Sequence, residues 1–420
     1  MTFSDVSEPT GSPRSSNWVW WISGLLLLAT MLNYMDRQTL AVLSVRITKE
    51  LSLSEENYGD LEFGFGVAFA IGSLSFGILA DSLSVRWLYP IVLLSWSAIG
   101  ILTGFCKDFS SLLTCRILLG FFEAGHWPCA LKTTQALQTG GKRLMGNSIL
   151  QSGGAIGAIL TPLVVRLITR DDPTAGAWRT PFFIIGSLGV VWAGLWLTSL
   201  RTDDVPVQQS KPDENSGPNW FFECMWNPKF WALVPVVICL NITWQLIRAW
   251  LPKFLQQGRG ATEAAALFFN SCYFAAADVG CIAAGAIAIW LGKKGFPSHP
   301  ARIIVFACCC VLTGMTGIVP YLKLGPALYA VLLLVAAGSL GLFPCYYSMS
   351  QDVSERHLGK ATGLLGALGW LISSPVQKLF GKYVDRYQSF DDGIALAGFA
   401  PLVGLIILQV VWPKSRTSST

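Results

Sequence analysis

Four ionisable side chains stand inside long apolar stretches of this chain, where a charge is expensive. Asp36 and Arg37 are adjacent near the end of the run "NWVWWISGLLLLATMLNYMDRQ", and Arg116 and Glu123 lie in "CRILLGFFEAGHWPCAL". An ionised side chain at the middle of a bilayer costs roughly 2.5–3.5 kcal/mol on insertion scales. Charges that persist at such a cost generally mark a substrate or ion pathway, so we interpret these four residues as a candidate site.

Helical geometry indicates that these charges are not simple local ion pairs. Arg116 and Glu123 are seven residues apart, so they share one helix face but are separated by two turns, about 10 Å. Neighbouring residues in a helix do not face each other, so Asp36 points about 100° away from Arg37 and needs another partner. Ion pairing with other spans is the structural alternative to a substrate or ion site.

The chemistry of this set fits the binding of a carboxylate and the movement of a proton. Two arginines, Arg37 and Arg116, can hold a carboxylate in a fork geometry. An acid that is removed from water yet close to arginines, as Asp36 or Glu123 would be, can gain and lose a proton as a cavity opens to each side. Coupling to a proton gradient requires an acid of this kind.

Polar side chains in two further segments could contact a substrate. Asn147 and Gln151 are four residues apart on one helix face, and Asn241, Gln245 and Arg248 share a face of a later segment. We predict substrate contacts for Gln151 and Gln245. Hydrogen bonding between helices is the alternative for both groups.

Three other residues invite a functional and a structural interpretation. Trp370, in "GALGWLISSP", could stack on a sugar ring or pack in the core, and we include it among the substrate-binding candidates. His126, one turn after Glu123, is either a hydrogen-bonded histidine or a proton partner. Asp278 is a solitary acid in an apolar segment. We expect a partner for it in another span, and a role in coupling is the alternative.

Composition indicates a polytopic membrane protein. Apolar residues make up 52% of the 420 residues, charged residues make up 13%, and the mean hydropathy is +0.51, whereas soluble domains carry about 25% charged residues. A span needs about 20 apolar residues, so the length allows about a dozen spans. The net charge of +5 comes without a basic cluster, so no nucleic-acid partner is expected, and the 11 cysteines show no metal-binding spacing.

Apolar segments recur along the whole chain with short polar breaks. The predicted spans are 17–44, 58–80, 86–106, 109–136, 144–168, 179–200, 229–256, 262–292, 301–322, 326–350, 358–384 and 393–413. The polar stretch "RTDDVPVQQSKPDENSGPN" separates the sixth span from the seventh. We therefore predict an N-terminal bundle over 1–200, a cytoplasmic linker over 201–228 and a C-terminal bundle over 229–420. An even number of spans puts both termini on one side, and the distribution of Lys and Arg favours the cytoplasm.

Small residues recur at helical spacing in three of these spans. They are Gly59, Gly66, Ala70, Ser73 and Gly77 in the second, Gly153 and Gly157 in the fifth, and Gly359, Gly363 and Gly366 in the eleventh. Such stripes let helices approach closely. They serve either static packing or a smooth seam on which two bundles can rock.

Four segments resemble the anion:cation symporter family of the major facilitator superfamily, and within it the hexuronate and aldonate transporters. The segments are "NYMDRQTLAVL", "LSEENYGDL", "CRILLGFFEAGHWPCALK" and "YYSMSQDVSERHLGKATGLLGALGWLISSP". The resemblance covers nearly the whole chain apart from the tails and the linker. It implies an all-α integral membrane fold, with 12 transmembrane helices in two six-helix bundles, and transport by alternating access.

The same resemblance assigns roles to individual residues. Arg37 and Arg116 would bind the substrate carboxylate, and Asp36 and Glu123 would carry protons. The residues that would contact the rest of the substrate are Tyr34 and Gln151.

The sequence also departs from the family pattern. After the second span, "GILADSLSVRW" keeps Gly77, Asp81 and Arg86 of the family's gating loop but lacks its other basic residues and its glycine. Ala367 and Gly369 stand where relatives often carry hydroxyl residues. This difference leaves small carboxylates other than hexuronate open.

These observations predict a proton-coupled symporter for a small organic anion, such as a hexuronate or aldonate. We expect no cofactor, and we expect the coupling ion to be H⁺ or Na⁺. The protein should be a monomer in the bacterial inner membrane, and its partners should be the substrate carboxylate and the lipid bilayer. An organophosphate–phosphate exchanger would also need paired arginines, but its acids would be purely structural. A membrane sensor is a third possibility, and an enzyme is not expected because no nucleophile–base pair or metal cluster is visible.

Overall fold

A computed structural model of the chain describes residues 15–138, 140–169, 175–205, 225–350, 353 and 358–412. Almost all of these residues are helical. The helices are α1 (Ser16–Glu50), α2 (Glu55–Ser82), α3 (Val85–Thr103), α4 (Phe109–Glu123), α5 (His126–Leu137), α6 (Gly140–Thr169), α7 (Arg179–Ser199), α8 (Pro228–Lys253), α9 (Glu263–Lys293), α10 (Ser298–Gly314), α11 (Pro326–Ser350), α12 (Leu358–Tyr387) and α13 (Asp391–Val411). A π-helical turn, Phe254–Gly258, extends α8, and a 3₁₀ segment, Met315–Tyr321, extends α10.

The helices confirm the predicted all-α architecture of twelve crossings in two six-crossing bundles. Ten of the described helical segments are long and apolar enough to cross a membrane. The fourth crossing is divided between α4 and α5, and the eleventh, α12, is more polar because Ser373, Ser374 and Gln377 interrupt its apolar run. Most of the predicted linker 201–228 lies outside the described residues, so the domain boundaries stay a prediction.

The break in the fourth crossing has a local cause. Pro128 has no backbone N–H to donate to the carbonyl of Ala124, which is the bond that a continuous helix would need there. Gly125 occupies the break, and a side chain at this position would meet Val92 and Phe76. The sequence predicted one helix over 109–136, and the structure corrects this to two helices that meet at residues 124–125.

The two bundles pack tightly along α2 and α12. A Cβ atom on Gly59 would collide with the backbone carbonyl of Gln377, and one on Gly66 would collide with the hydroxyl of Ser374. Gly381 on α12 approaches the backbone of Glu55 in the same way. The small-residue stripe of the second span is therefore a close-packed seam between the bundles.

The other predicted stripes divide between packing and open space. Gly153 and Gly157 let α6 approach the carbonyl groups of Leu27 and Met31 on α1, inside the N-terminal bundle. By contrast, apart from the backbone of their own helix and their chain neighbours, no described atom lies within 4 Å of the place that a Cβ atom would take on Gly77, Gly363 or Gly366. Gly359 belongs to a helix end whose side chains the structure does not describe.

Ion pairs join the bundles at the end of the molecule that contains the connection 51–54, which we call the distal end. Arg46 forms a two-bond pair with Glu263, with both N–O distances 2.7 Å. Lys253 contacts both carboxylate oxygens of Glu55, also at 2.7 Å. Lys378 pairs with Asp60 at 2.9 Å. These contacts hold the distal end closed.

The start of α2 receives a further contact from the C-terminal bundle. Asp385 accepts hydrogen bonds from the backbone N–H groups of Glu55 and Glu56, at 2.9 and 2.7 Å. The first N–H groups of a helix have no partner within the helix, so a carboxylate there satisfies them and complements the helix dipole. Asp385 thus caps a helix of the opposite bundle and adds to the closure of the distal end.

Candidate functional site

The centre of the N-terminal bundle contains a buried ion pair between α1 and α4. Arg37 donates from Nε and Nη2 to Oε2 of Glu123, at 3.1 and 2.9 Å. Arg37 is 4% exposed and Glu123 is fully buried. Asn33, one turn before Arg37, accepts a weak bond from its guanidinium at 3.4 Å and donates to the carbonyl of Glu123 at the same distance. Asn33 and Arg37 therefore lie on the same face of α1.

A second cluster of buried charges lies between this pair and the distal end. Glu62 of α2 accepts from Nη2 of Arg116 at 3.1 Å through Oε1, and from Nη2 of Arg248 at 2.6 Å through Oε2. All three side chains are 3% exposed or less. Arg116 belongs to the N-terminal bundle and Arg248 to the C-terminal bundle, so one carboxylate bridges the two halves of the protein.

The two charge clusters share an aromatic neighbour. The guanidinium carbon of Arg116 lies 4.4 Å from the centre of the Phe65 ring, and that of Arg37 lies 5.1 Å from it. The rings of Phe69 and Trp370 also face Arg37, at 4.9 and 5.7 Å. Cation–π contacts of this kind orient a guanidinium and partly replace the water that burial removes.

Between the bundles lies a small cavity next to Glu62. Its lining residues are Glu62, Gln245, Arg248, Trp370, Ser373, Ser374 and Gln377. The space accommodates about one water molecule. The C-terminal bundle contributes two amide groups to its wall: Gln245 accepts from Nε of Arg248 at 2.8 Å, and Gln377 accepts from the Trp250 indole at 2.7 Å. The arginines are therefore enclosed by the protein in this conformation.

This arrangement confirms that Arg116 and Glu123 do not pair along their own helix, and it shows the alternative of ion pairing between spans for Arg37, Arg116 and Glu123. Arg116 and Glu123 do not bond each other; each pairs with a residue of another helix, Glu62 and Arg37 respectively. Both predicted substrate arginines thus already hold a carboxylate of the protein. Either arginine can therefore bind the carboxylate of a ligand if the protein carboxylate that it now holds moves away.

Asp36 is set apart from the arginines. It is 3% exposed, and its side chain faces α3, where the backbone of Gly100 leaves room for it. Its Oδ2 atom has no hydrogen-bond partner among the described residues. The prediction that Asp36 points away from Arg37 is confirmed, whereas its assignment to proton coupling stays a prediction.

His126 is held by neutral hydrogen-bonding groups. Its Nδ1 lies 2.8 Å from the hydroxyl of Tyr89, and its Nε2 lies 3.1 Å from the hydroxyl of Thr30. Both ring nitrogens are satisfied, which is the arrangement expected of a hydrogen-bonded structural histidine. Of the two interpretations left open by the sequence, the structure supports this one.

The remaining predicted substrate contacts lie at different distances from the arginines. The ring of Tyr34 lies 5.4 Å from the guanidinium of Arg37 and packs on Gly154. Trp370 packs on Phe69, with ring centres 4.8 Å apart. Gln151 is exposed on α6. Their roles in binding stay predictions.

Arg86 and Asp278 lie apart from the two charge clusters. Arg86 of the predicted gating loop donates to the carbonyl of Leu197 at 3.5 Å, while the side chain of Asp81 lies outside the described residues. Asp278 is half-buried on α9, and no hydrogen bond or ion pair joins it to a described residue, so its expected partner is not found there. No group of metal-binding side chains occurs within the described ranges.

Sequence reasoning missed Glu62, the acid at the meeting point of the bundles. It stands only a few residues inside the second predicted span, next to the polar stretch that precedes it. A signal was available, since Glu62 follows Gly59 by three residues and precedes Gly66 by four, which places all three on one helix face. An acid on a stripe of small residues lies on a surface that another helix must cover.

Comparison with known proteins agrees with this architecture. A sequence model of the Major Facilitator Superfamily matches residues 26–376. The chain belongs to the Major Facilitator Superfamily. Membership in this superfamily confirms the predicted multi-pass membrane location and the prediction that the chain is not an enzyme.

Within the superfamily, several relatives are named as transporters of sugar acids. The hexuronate transporter of Escherichia coli (strain K12) is 24% identical over 416 residues, which cover 93% of each chain. The probable L-galactonate transporter of the same strain is 24% identical, and the alignment covers 91% of this chain and 86% of the transporter. The predicted similarity to anion transporters of this superfamily is confirmed.

Solved structures of superfamily members share the fold. A bacterial homologue of the human lysosomal transporter Spinster, in an inward-facing and occupied conformation, superimposes with a TM-score of 0.78 at 16% identity and covers 95% of this chain and 97% of its own. A D-xylose–proton symporter gives a TM-score of 0.75 at 15% identity, with 95% and 99% of the chains covered.

Proposed function

We propose that this protein carries a small organic anion of the sugar-acid class across the membrane together with protons. The observation that carries the proposal is the position of Arg37 and Arg116, two buried guanidinium groups that contact the same ring, Phe65, and that each hold a carboxylate. Guanidinium groups removed from water bind carboxylates through short, charge-assisted hydrogen bonds. A sugar acid offers one such group and several hydroxyls.

The pairing of Arg37 with Glu123 supplies a route for proton coupling. When a substrate carboxylate takes the place of Glu123 on Arg37, the acid loses its positive partner inside the protein. An unpaired carboxylate in such a place is costly, and protonation removes the charge. Each bound anion thereby favours a bound proton, which is the linkage that symport requires. Asp36, on the other side of α1, is the second acid that we assign to this step.

Polar and aromatic groups around the arginines favour a hydroxylated substrate. Tyr34 and Trp370 present rings beside Arg37, and Gln245 borders the neighbouring cavity. Aromatic rings pack against the apolar face of a sugar, while amide groups exchange hydrogen bonds with its hydroxyls. The names of the relatives point to the same class of compound.

Uptake into proteoliposomes tests the proposal. The purified full chain is reconstituted, and uptake of D-glucuronate, D-galactonate, D-glucarate and glycerol 3-phosphate is measured with symmetric pH and with an alkaline lumen. We expect accumulation of at least one sugar acid, stimulated by the pH gradient. Transport of glycerol 3-phosphate in exchange for phosphate, without an effect of the gradient, would instead support the organophosphate exchanger.

A further inference from the structure

Glu62 has no part in the transport cycle as proposed, although it lies where charged groups of the two bundles meet. Each oxygen of its carboxylate accepts from a different arginine, Arg116 at 3.1 Å and Arg248 at 2.6 Å. Both arginines are almost fully buried, and they come from different bundles. Glu62 therefore occupies the position that a carboxylate ligand would take between these two guanidinium groups.

The surroundings of Glu62 leave no room for a second anion. The neighbouring cavity holds about one water molecule, and the Phe65 ring covers Arg116. An organic anion can reach Arg116 and Arg248 only if Glu62 moves away. Binding of a substrate at these arginines and the pairing of Glu62 are thus mutually exclusive.

We propose that Glu62 is a resident anion, which bridges Arg116 and Arg248 in the empty protein and is displaced by the carboxylate of the substrate. This inference rests on the proposed function, and it identifies Glu62 as the group that competes with the substrate for the arginines of the same site. In the exchange, the ion pairs of Glu62 with Arg116 and Arg248 break, and the pair of Glu123 with Arg37 breaks as proposed above. The substrate carboxylate then pairs with Arg116 and Arg248 and also accepts from Arg37, the other arginine of the proposed clamp, which faces the same Phe65 ring as Arg116. Glu62 takes up one H⁺ from the solution that the site faces, because an unpaired buried carboxylate is costly.

The electrostatic neighbours of Glu62 make protonation dependent on the substrate. Arg116 on α4, Arg248 on α8 and, at longer range, Arg37 on α1 act on its carboxylate, and Tyr58 is the titratable neighbour on α2 itself. The residues of α12 at the cavity are uncharged. While the arginines are bonded to Glu62 they hold it ionised, and once the substrate neutralises them this support is lost.

A resident anion also explains how the empty protein stays closed. The Glu62–Arg248 pair joins the bundles when no substrate is bound. The unloaded protein thus has a carboxylate–arginine contact between the bundles, as the loaded protein would have through the substrate. Net uptake requires an unloaded return step, whereas exchange of substrate for substrate does not. Loss of Glu62 should therefore slow net uptake more than exchange.

Inorganic sulfate provides a test that does not depend on the identity of the substrate. In Glu62→Ala the two arginines lose their anion and gain space, so millimolar sodium sulfate should raise the melting temperature of the purified variant. Sodium chloride at equal ionic strength should not. Glu62→Gln, which keeps the shape of the side chain, serves as a second variant in case the alanine protein does not fold. Glu56→Gln, on the same helix outside the cluster, is the matched control and should respond like the wild type.

A second arm measures binding of the sugar acid that the uptake panel identifies. Glu62→Gln should bind it about 10- to 100-fold more tightly than the wild type at high pH, since a competing pair of charged hydrogen bonds is gone. The dependence of its binding affinity on pH should also be weaker than that of the wild type by the equivalent of one proton, which is about a tenfold change in affinity per pH unit.

The outcomes separate this inference from the proposed function. If no sugar acid is transported but sulfate stabilises the Glu62 variants alone, the proposed substrate is wrong and the resident anion stands. If sugar acids are transported with protons but sulfate affects the wild type and the variants equally, or the pH dependence of binding is the same in Glu62→Gln and the wild type, the resident anion is refuted.

Discussion

Arg248 donates a 2.6 Å hydrogen bond to Glu62. This buried contact connects a guanidinium of the C-terminal bundle with a carboxylate of the N-terminal bundle. The other oxygen of the same carboxylate is bound to Arg116. Arg37 and Glu123 form a second pair in the N-terminal bundle. The site is thus a set of three arginines and two acids in which every arginine contacts an acid.

Replacement of Arg37 should weaken substrate binding strongly. In Arg37→Ala the substrate carboxylate loses two charged hydrogen bonds, so we expect about 10- to 100-fold weaker binding or more. Arg37→Lys should recover little of this loss, because an ammonium group cannot reproduce the fork of a guanidinium. Binding is measured by calorimetry on purified protein, with Arg166→Ala, an exposed arginine, as the control. Unchanged affinity in Arg37→Ala would refute the carboxylate clamp.

Replacement of Glu123 should separate driven uptake from exchange. Glu123→Gln mimics the protonated acid permanently, so a pH gradient can no longer act through it. We expect gradient-driven uptake to be lost, while counterflow of labelled against unlabelled substrate partly survives. Glu56→Gln serves as the control on a nearby helix. An equal loss of both activities would leave the coupling role of Glu123 without support.

The two-bond pair between Arg46 and Glu263 should help to keep the distal end closed. The pair is partly exposed, so we expect Glu263→Gln to change the balance of conformations by about 1 kcal/mol, roughly fivefold in population. Spin labels at Lys107 and Lys323, which are exposed on the distal connections of the two bundles, report the distance by double electron–electron resonance in a cysteine-free background. A longer-distance population should grow in the variant. An identical distance distribution would show that the pair does not contribute.

The seam between α2 and α12 should tolerate no added methyl group at Gly59. The new Cβ would meet the backbone of Gln377, which cannot rotate away as a side chain could. Overpacking of this kind costs about 1–3 kcal/mol, so Gly59→Ala should lower the melting temperature. Gly194→Ala is the matched control, because no described atom beyond its own helix backbone and chain neighbours lies within 4 Å of the place its Cβ would take. Equal melting temperatures for the two variants would contradict the close packing of the seam.

The sequence was sufficient for the architecture and for part of the site. Apolar segments of about 20 residues can do little other than form membrane-spanning helices, so the twelve crossings were predictable. Helical periodicity also predicted that Asp36 turns away from Arg37, and that Arg116 and Glu123 are too far apart to pair with each other. The break before His126 was not predicted, because the apolar pattern continues through Gly125 and Pro128 and hides the hydrogen bond that the proline cannot make.

The sequence could not predict which residues of distant helices pair with one another. Nothing in the spacing along α2 indicates that Glu62 lies between Arg116 and Arg248, since their proximity depends on how two bundles dock. The same docking encloses Trp370 and Gln245 beside these charges. For Asp278 the expected inter-span partner was not found among the described residues, because a solitary acid in a sequence does not reveal whether its helix face is covered.

Direct measurement of proton movement during substrate uptake tests the central claim. Proteoliposomes that contain a pH-sensitive dye are given the sugar acid that the panel identifies, without an imposed pH gradient and with the membrane potential clamped by potassium and valinomycin. The account predicts acidification of the lumen that begins with substrate entry and disappears in Glu123→Gln. Accumulation of the sugar acid with no change of luminal pH would contradict proton-coupled transport.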